Sequence, residues 1–223
     1  MVLQFSTPLY IIVKVKQIKY YQVKRASDFV FALVGLALLA APFFLVALVI
    51  KLESDGPAIR RDKRVGKGGK HFVMYKFRTM TMNAPQKATA EIDHSRYVTR
   101  FGTILRKSSF DELPQLVNVL RGEMALIGPR PVLALEKTTN SLRQKHGVFE
   151  LRPGITGWAQ VNGRDTVGEV EKVAYDRHYR DNLCLKMDCS CLLRTFGVVL
   201  IGDGIIENTS ETAKSTIKID VEN

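Results

Sequence analysis

The chain has 223 residues, which is enough for one sizeable hydrophobic core and too few for several domains. Its 33 Lys and Arg against 22 Asp and Glu give a formal charge of +11, so nucleic acid, an anionic membrane surface or a phosphorylated substrate is expected as a partner. Three crowded cysteines (Cys184, Cys189 and Cys191) argue against a disulfide framework, and four scattered histidines argue against a structural zinc site.

Residues 11–21, with the sequence IIVKVKQIKYY, alternate apolar and polar side chains over part of their length. This pattern is typical of an amphipathic edge strand or of a segment that lies at a membrane surface. We predict an N-terminal interfacial segment over residues 1–23.

Residues 29–50 form a run of 22 residues without a charge or a strongly polar group. At about 1.5 Å per residue, a helix of this length reaches across the roughly 30 Å hydrocarbon core of a bilayer. A cleaved signal peptide fits poorly, because the run is too long and no small-residue cleavage site follows it. The simplest interpretation is a single membrane-spanning helix.

Two features of this run favour a re-entrant anchor over a span. Pro42, which follows Ala41, removes a backbone hydrogen bond and favours a break in the helix. Both flanks are rich in Lys and Arg, and the positive-inside rule is not met when two such flanks lie on opposite sides of a membrane. We predict a helix-break-helix segment over residues 24–51 that turns at Ala41 and Pro42 and leaves on the cytoplasmic side.

The positive charge lies where this apolar run would meet lipid headgroups, so the sequence favours an anionic membrane surface over nucleic acid. No zinc-finger or RNA-binding motif accompanies the charge. Gly66, Gly68 and Gly69 alternate with lysines, but this is a weak phosphate-binding signal because it contains neither a Walker-A nor a G-x-G-x-x-G pattern.

Residues 71–78, HFVMYKFR, predict a strand that presents Lys76 and Arg78 at the membrane margin. Residues 83–95 are polar and aperiodic, which predicts a loop.

Asp111 and Glu112 stand at the head of an apolar run in the sequence SSFDELPQL. Ser109 and Glu112 have the spacing of a capping box, and the apolar residues that follow recur at helical spacing as far as about Arg121. Taken alone, the acidic pair is interpreted more readily as a helix start than as a catalytic site.

A second group of candidate residues follows this segment. Arg130 lies between two prolines in GPRP, a stiff turn that limits the entropy lost when its guanidinium binds an anion. Residues 151–164, LRPGITGWAQVNGR, predict a turn, a short strand containing Trp158 and a second turn. Trp158 is interpreted as a core aromatic.

In consistent order from about residue 24 to about residue 195, these segments resemble the bacterial sugar transferases, also called monotopic polyprenyl-phosphate phosphoglycosyl transferases. The segments are KRASD, the apolar run with its proline, DGPAIRRDKRVGKGGKHF, KFRTM, DELPQLVNVLRGEMALIGPRP and RPGITGWAQVNGR. The last two form a highly specific combination. Residues 174–202 resemble the family's final amphipathic segment, whose apolar positions would lie either on the membrane or in the core.

The resemblance implies an α+β, helix-rich, monotopic membrane protein with one re-entrant helix-break-helix anchor and a small cytoplasmic catalytic domain. We place that domain at residues 52–205 and a polar tail at residues 206–223. The expected location is the cytoplasmic face of the bacterial inner (cytoplasmic) membrane. The chain is expected to be the short form of the family, without a multi-helix N-terminal membrane domain.

Such enzymes transfer a phospho-sugar from a UDP-sugar to polyprenyl (undecaprenyl) phosphate and release UMP. The product, a polyprenyl-diphosphate sugar, begins the membrane stage of exopolysaccharide, capsule, O-antigen or glycoprotein synthesis. The resemblance therefore implies a UDP-sugar donor, a polyprenyl phosphate acceptor and a lipid bilayer as partners, and no nucleic acid. The sugar, the glycan and whether the chain forms an oligomer stay open.

The family's catalytic Asp-Glu dyad corresponds to Asp111 and Glu112. The resemblance implies that Asp111 is a nucleophile that forms an aspartyl-phosphosugar intermediate, and that both carboxylates bind Mg²⁺. Glu112 either holds the metal or orients Asp111. Basic residues spread along the chain are predicted to contact phosphate groups: Lys76, Arg78, Arg106, Arg130, Arg152 and Arg164.

The chain departs from the family pattern at two places. The Ser-Pro pair of the membrane kink is Ala41 and Pro42 here, so a serine hydroxyl at the bend is missing. Residues 58–62, AIRRD, are smaller and more charged than the aromatic, glutamine-containing run that the family usually has.

Two other functions have different requirements. A catalytically silent, membrane-bound basic scaffold that recruits partners would need neither Mg²⁺ nor Asp111. A phosphatidyltransferase of the CDP-alcohol type would need several spanning helices and a spaced acidic motif, both of which this sequence lacks.

Overall fold

The first element of the fold is one long helix, α1 (Pro8–Glu53), of 46 residues. The computed structural model describes the backbone of residues 8–84, 97–163 and 167–201, and side chains within residues 17–84, 97–163 and 167–197. Of the two alternatives for residues 11–21, the edge strand is wrong, because these residues are helical. The apolar residues Ile11, Val15 and Ile18 also have the spacing of a helix. The helix joins the segments predicted at residues 1–23 and 24–51, of which residues 1–7 lie outside the described residues.

The helix continues through Ala41 and Pro42, so the break predicted there is wrong. A proline removes one backbone hydrogen bond from a helix but leaves the neighbouring turns free to pack. Leu39 and Phe43, which flank the proline, both pack on the folded body. These contacts hold the helix on either side of the missing bond.

One face of α1 packs on the folded body, and the opposite face is apolar and exposed. The packed residues recur every three or four positions and are Ala32, Leu36, Leu39, Phe43, Val46, Ala47 and Ile50. On the other face, Leu38, Phe44 and Leu52 are 75%, 71% and 79% exposed. The same helix therefore contributes to the core and presents a hydrophobic surface.

The contacts of α1 with the body extend over its length. Near the start, Gln17 Nε2 donates to the Asp181 carbonyl at 2.6 Å, and at the end the Phe101 N–H donates to Glu53 Oε1 at 3.0 Å. Gln17–Glu53 is the one helical segment among the described residues that is long and apolar enough to cross a membrane. It is about 55 Å long at 1.5 Å per residue, and it lies along the body instead of projecting from it.

A buried polar network fixes α1 against the C-terminal helices. Lys24 Nζ lies 2.9 Å from Asp188 Oδ2 and 3.5 Å from Asp28 Oδ1. The hydroxyls of Tyr20 and Tyr179 each donate to the Asp188 carboxylate at 2.6 Å. Because buried charges are stable only when they are paired, this network strongly favours one placement of the helix.

The strands β1 (Ile59–Val65) and β2 (His71–Phe77) form an antiparallel hairpin, which confirms the strand predicted at residues 71–78. Val65 lies opposite His71 at the glycine-rich turn, and Ile59 lies opposite Phe77 at the open end. Lys76 is therefore about 17 Å along the strand from the turn. The glycine-rich turn and Lys76 lie near opposite ends of the hairpin.

The remaining elements complete the helix-rich α+β class predicted from the sequence. They are α2 (Arg100–Lys107), α3 (Leu116–Leu120), β3 (Ala125–Ile127), α4 (Lys137–Lys145), β4 (Gly154–Thr156), α5 (Trp158–Val161), α6 (Glu169–Asp181) and α7 (Leu185–Ile201). Strands β3 and β4 pair in parallel. The strand predicted within residues 151–164 is present as β4, but Trp158 begins α5 instead of lying in the strand, and it stacks on His178.

Helix α7 combines the two alternatives considered for the C-terminal segment. Cys191 is buried in the core, whereas Leu193 and Phe196 are exposed. All three cysteines are free thiols, as expected. The predicted polar tail at residues 206–223 and most of the predicted loop at residues 83–95 lie outside the described residues.

Candidate active site

Asp111 and Glu112 lie in a short 3-10 helical segment, Phe110–Gln115, that leads directly into α3. The predicted capping box is wrong. Ser109 adopts a left-handed conformation (φ 55°, ψ 17°), and its side chain makes no capping hydrogen bond. Residues that cap a helix start with their side chains normally have extended backbone angles, which explains the difference.

The dyad is surrounded by positive charge. Lys76 Nζ lies 2.6 Å from Glu112 Oε1, and Arg130 Nη1 lies 3.5 Å from the same oxygen. The pKa of Asp111 is raised from 3.8 to about 6, and burial is the largest cause. The positive charges of Lys76, Arg106 and Arg130 oppose this rise in pKa, and the negative charge of Glu112 contributes to it. The structure thus brings together three of the six predicted phosphate-binding residues.

Lys76 reaches Glu112 because a fully buried asparagine joins β2 to α3. Asn118 Oδ1 accepts a hydrogen bond from the Tyr75 N–H at 3.1 Å, and its Nδ2 donates to the Val73 carbonyl at 2.6 Å. One side chain thereby satisfies two backbone groups at the edge of the strand, as a neighbouring strand would. This contact fixes the dyad segment relative to Lys76.

Arg106 is positioned by the close packing of α2 on the chain that follows β2. A Cβ atom on Gly102 would lie 2.2 Å from the Thr79 carbonyl oxygen, so no side chain fits at this position. Arg106 follows one turn later on the same helix face, and its Nε donates to Thr79 Oγ1 at 2.9 Å. The guanidinium is therefore held beside Asp111.

Arg130 is held by a backbone-to-backbone contact between the GPRP turn and β4. The Gly128 N–H donates to the Thr156 carbonyl at 2.8 Å, and the Gly154 N–H donates to the Pro129 carbonyl at 2.9 Å. A Cβ on Gly154 would lie 2.1 Å from the Gly128 nitrogen, so this approach requires glycine.

A buried ion pair between α4 and α6 supports the same turn. Arg143 donates through Nη1 to the Arg130 carbonyl at 2.7 Å and through Nη2 to Asp176 Oδ2 at 2.6 Å. Burial raises the pKa of Asp176, and the charge of Arg143 opposes that rise. Sequence reasoning missed this pair because its members lie on α4 and α6, and no local spacing relates them.

Arg78, which was predicted to contact phosphate, binds backbone carbonyls in this structure. It is buried, and its guanidinium donates to the carbonyls of Ser54, at 2.7 Å, and Asp55, just beyond the end of α1. These carbonyls need donors because a helix end leaves them without partners. The structure therefore uses Arg78 to stabilise the end of the helix.

Arg152 also supports the backbone in this structure. Its Nε donates to the Gly122 carbonyl at 2.8 Å, and its Nη1 donates to the Tyr21 hydroxyl at 3.2 Å. It links the loop after α3 to α1. Arg164, the sixth predicted residue, lies outside the described residues.

A small pocket that is open to solvent lies beside the dyad. Lys76, Glu112 and Arg130 are among the residues that line it. The other lining residues are Arg64, Met74, Gln115, Pro131, Gly154, Ile155 and Gln160. Sequence reasoning missed Arg64 and Gln160, because Arg64 is one of four cations in IRRDKRV and nothing in that run singles it out.

The dyad fits Mg²⁺ only in combination with a substrate. Within residues 8–84, 97–163 and 167–201, no group of three or more His, Cys, Asp or Glu side chains is placed to hold a metal ion. Mg²⁺ commonly binds through one or two carboxylates and takes its other ligands from water and substrate phosphates. Asp111 and Glu112 supply those carboxylates.

Comparison with known proteins gives consistent matches. The family model described as bacterial sugar transferase matches residues 19–202. An uncharacterized sugar transferase, EpsL, of Bacillus subtilis is 38% identical over 86% of this chain and 94% of its own length. A UDP-glucose:undecaprenyl-phosphate glucose-1-phosphate transferase of Caulobacter vibrioides is 43% identical over 81% of this chain and 70% of its own length.

A third relative is a longer protein. The UDP-N-acetylgalactosamine-undecaprenyl-phosphate N-acetylgalactosaminephosphotransferase of Aeromonas hydrophila is 38% identical over 83% of this chain. The match covers 45% of the relative's own length, so the chain spans about half of that protein.

The charges around the dyad lead to a prediction about Asp111. Replacing Lys76 by Met (K76M) is expected to raise the pKa of Asp111 above about 6, since a positive charge that favours the carboxylate is lost. The pKa is measured by ¹³C NMR titration of labelled Asp carboxyl groups, with Asp111→Asn assigning the signal. Lys107→Met, which removes an exposed cation at the end of α2, is the control. An Asp111 pKa unchanged by K76M would contradict the geometry.

Proposed function

The chain belongs to the bacterial sugar transferase family, as its motifs predicted, and from this premise we propose that it transfers a sugar phosphate from a UDP-sugar to polyprenyl phosphate. The products are UMP and a polyprenyl-diphosphate sugar, the first membrane intermediate of a surface glycan. The proposed donor and acceptor match the substrates in the names of relatives that cover most of this chain.

The observation that carries this proposal is a desolvated carboxylate surrounded by fixed cations. Asp111, with a pKa of about 6, is mostly ionised at neutral pH and able to act as a nucleophile. A carboxylate that approaches a diphosphate meets strong negative charge, which must be offset for the reaction to proceed. Lys76, Arg106 and Arg130 supply positive charge at this place.

In the first proposed step, an Asp111 carboxylate oxygen attacks the phosphorus atom that carries the sugar. A bond forms between this oxygen and phosphorus, the bond from phosphorus to the bridging oxygen breaks, and UMP leaves with the electron pair. Both reacting groups are already anionic, so the step requires no proton transfer. The cations beside Asp111 stabilise the charge on the phosphoryl oxygens.

In the second step, a phosphate oxygen of the polyprenyl phosphate attacks the same phosphorus. The bond to Asp111 breaks, which restores the carboxylate and releases the polyprenyl-diphosphate sugar. Two displacements at one phosphorus atom give a ping-pong cycle.

Mg²⁺ is the proposed cofactor, and Asp111 and Glu112 are the residues that would hold it together with the diphosphate. When bound, the ion offsets negative charge on the diphosphate. Glu112 remains fixed by its ion pair with Lys76, so its carboxylate is held in place beside the nucleophile.

The enzyme is proposed to sit on the cytoplasmic face of the inner membrane with α1 embedded from one side. The exposed apolar face of the helix supplies the surface that enters lipid. Its opposite face stays on the folded body at both ends, which supports a placement with both ends on one side of the membrane over a span. The basic flanks of the apolar run would then both face the cytoplasmic leaflet, in agreement with the positive-inside rule.

This placement is tested with single cysteines in a variant whose three natural cysteines are replaced. Gln22→Cys and Lys51→Cys mark the two ends of the apolar run, and Ser141→Cys on exposed α4 marks the folded body. A membrane-impermeant maleimide is expected to label all three from the cytoplasmic side in oriented vesicles. Labelling of the two helix ends from opposite sides would contradict this placement.

The transfer activity is tested by release of UMP from a panel of UDP-sugars with undecaprenyl phosphate and Mg²⁺. Replacing Asp111 by Asn is expected to lower the rate with the preferred donor by more than about 1000-fold, since the nucleophile is lost. Asp181→Asn, at an exposed carboxylate far along the sequence, is the matched control. Release of UMP by the Asp111→Asn variant at the wild-type rate would contradict the mechanism. If the wild-type protein released no UMP with any UDP-sugar, the result would favour a catalytically silent membrane scaffold.

A further inference from the structure

Two residues that line the pocket beside the dyad each have one buried polar atom without a hydrogen-bond partner. The two atoms are Nε of Arg64 and Oε1 of Gln160. Buried polar atoms in folded proteins are paired in the great majority of cases, so each exception needs a physical explanation. Here an unpaired donor and an unpaired acceptor belong to residues that line the same pocket.

The orientation of the Gln160 amide is fixed by its other end. Its Nε2 donates to the Ile155 carbonyl at 3.1 Å, and a carbonyl accepts only from the NH₂ group. The oxygen of the amide is therefore the unpaired atom, and it can only accept a hydrogen bond. Gln160 is 9% exposed, so bulk water does not readily supply the missing donor.

The guanidinium of Arg64 has partners for both of its terminal nitrogens but none for Nε. Its Nη1 donates to the Pro131 carbonyl at 3.4 Å, and its Nη2 lies 3.8 Å from Asp62 Oδ2. The side chain is 17% exposed, and Asp62 provides a counter-charge for its guanidinium. The Nε donor remains for another group.

We propose that Arg64 and Gln160 recognise a neutral part of the donor substrate, one that both accepts and donates hydrogen bonds. This inference rests on the proposed function. An ionised phosphate offers only acceptors and cannot satisfy the Gln160 oxygen. A sugar hydroxyl or acetamido group has both capacities, and so does the amide edge of a uracil base.

The lining of the pocket contains groups for both parts of such a donor. Lys76 and Arg130 suit the diphosphate, and the lining also includes the apolar residues Met74, Ile155 and Pro131. A site with buried polar groups discriminates strongly against an analogue that leaves them unpaired. Arg64 and Gln160 are thus specificity-determining residues for the donor.

The test measures binding without the acceptor, by calorimetric titration of the full chain in nanodiscs with Mg²⁺. The ligands are UDP-glucose, UDP-galactose, UDP-N-acetylglucosamine and UMP. Gln160→Met and Arg64→Lys are each expected to weaken binding of the preferred UDP-sugar about 10-fold, which corresponds to ~1.4 kcal/mol. Gln144→Met, at an exposed glutamine of α4, is the matched control and should bind as the wild type does. Thermal unfolding checks that each variant is folded.

The UMP arm identifies which part of the donor is recognised. An equal loss for UMP and the UDP-sugar places the nucleobase in the pocket, and a loss confined to the UDP-sugars places the sugar there. Unchanged affinities in both folded variants would overturn the proposal while leaving transfer activity intact. Wild-type protein that binds none of the four ligands would overturn it as well. Dependence of binding on Gln160 in a protein that releases no UMP would support the pocket and refute the transfer function.

Discussion

The ion pair between Lys76 and Glu112 joins the hairpin to the segment that carries the dyad, and the site depends on this connection. At 2.6 Å the pair is close, and both side chains are largely shielded from water. Strand β2 and the residues just after it also position Asn118 and Arg106. Asn118 hydrogen-bonds the edge of the strand, and Arg106 bonds Thr79 just beyond its end. A shift of β2 would therefore move several charges around Asp111 together.

In the proposed placement, helix α1 connects this site to the membrane through packing. Leu116 and Val119 of α3 share a hydrophobic cluster with Ala32 of the helix, and Phe43 contacts Phe110 beside the dyad. Over residues 29–50, the helix face opposite these contacts carries no charged or strongly polar side chain. Insertion of that face into lipid would place the active site close to the bilayer surface, where the phosphate of a lipid-linked acceptor lies.

Patterns within short stretches of the sequence predicted those elements that form from neighbouring residues. The strand that carries Lys76 and the apolar helix were read from periodicity and hydropathy, and the dyad came from a motif. The break at Pro42 was predicted from the helix alone, and packing of both neighbouring turns outweighs it. Arg78 and Arg152 illustrate a different limit: charge marked them as anion-binding, but backbone carbonyls close in space use their donors. Gln160 carried no signal, because its role depends on a pocket formed by distant segments.

The most direct measurement is mass spectrometry of the protein after incubation with its UDP-sugar and Mg²⁺ in the absence of acceptor. If Asp111 is the nucleophile, UMP is released without polyprenyl phosphate, and the peptide that contains Asp111 gains the mass of one phospho-sugar. Addition of polyprenyl phosphate should remove that mass. An adduct on another residue, or UMP release only when both substrates are present, would contradict a covalent intermediate on Asp111.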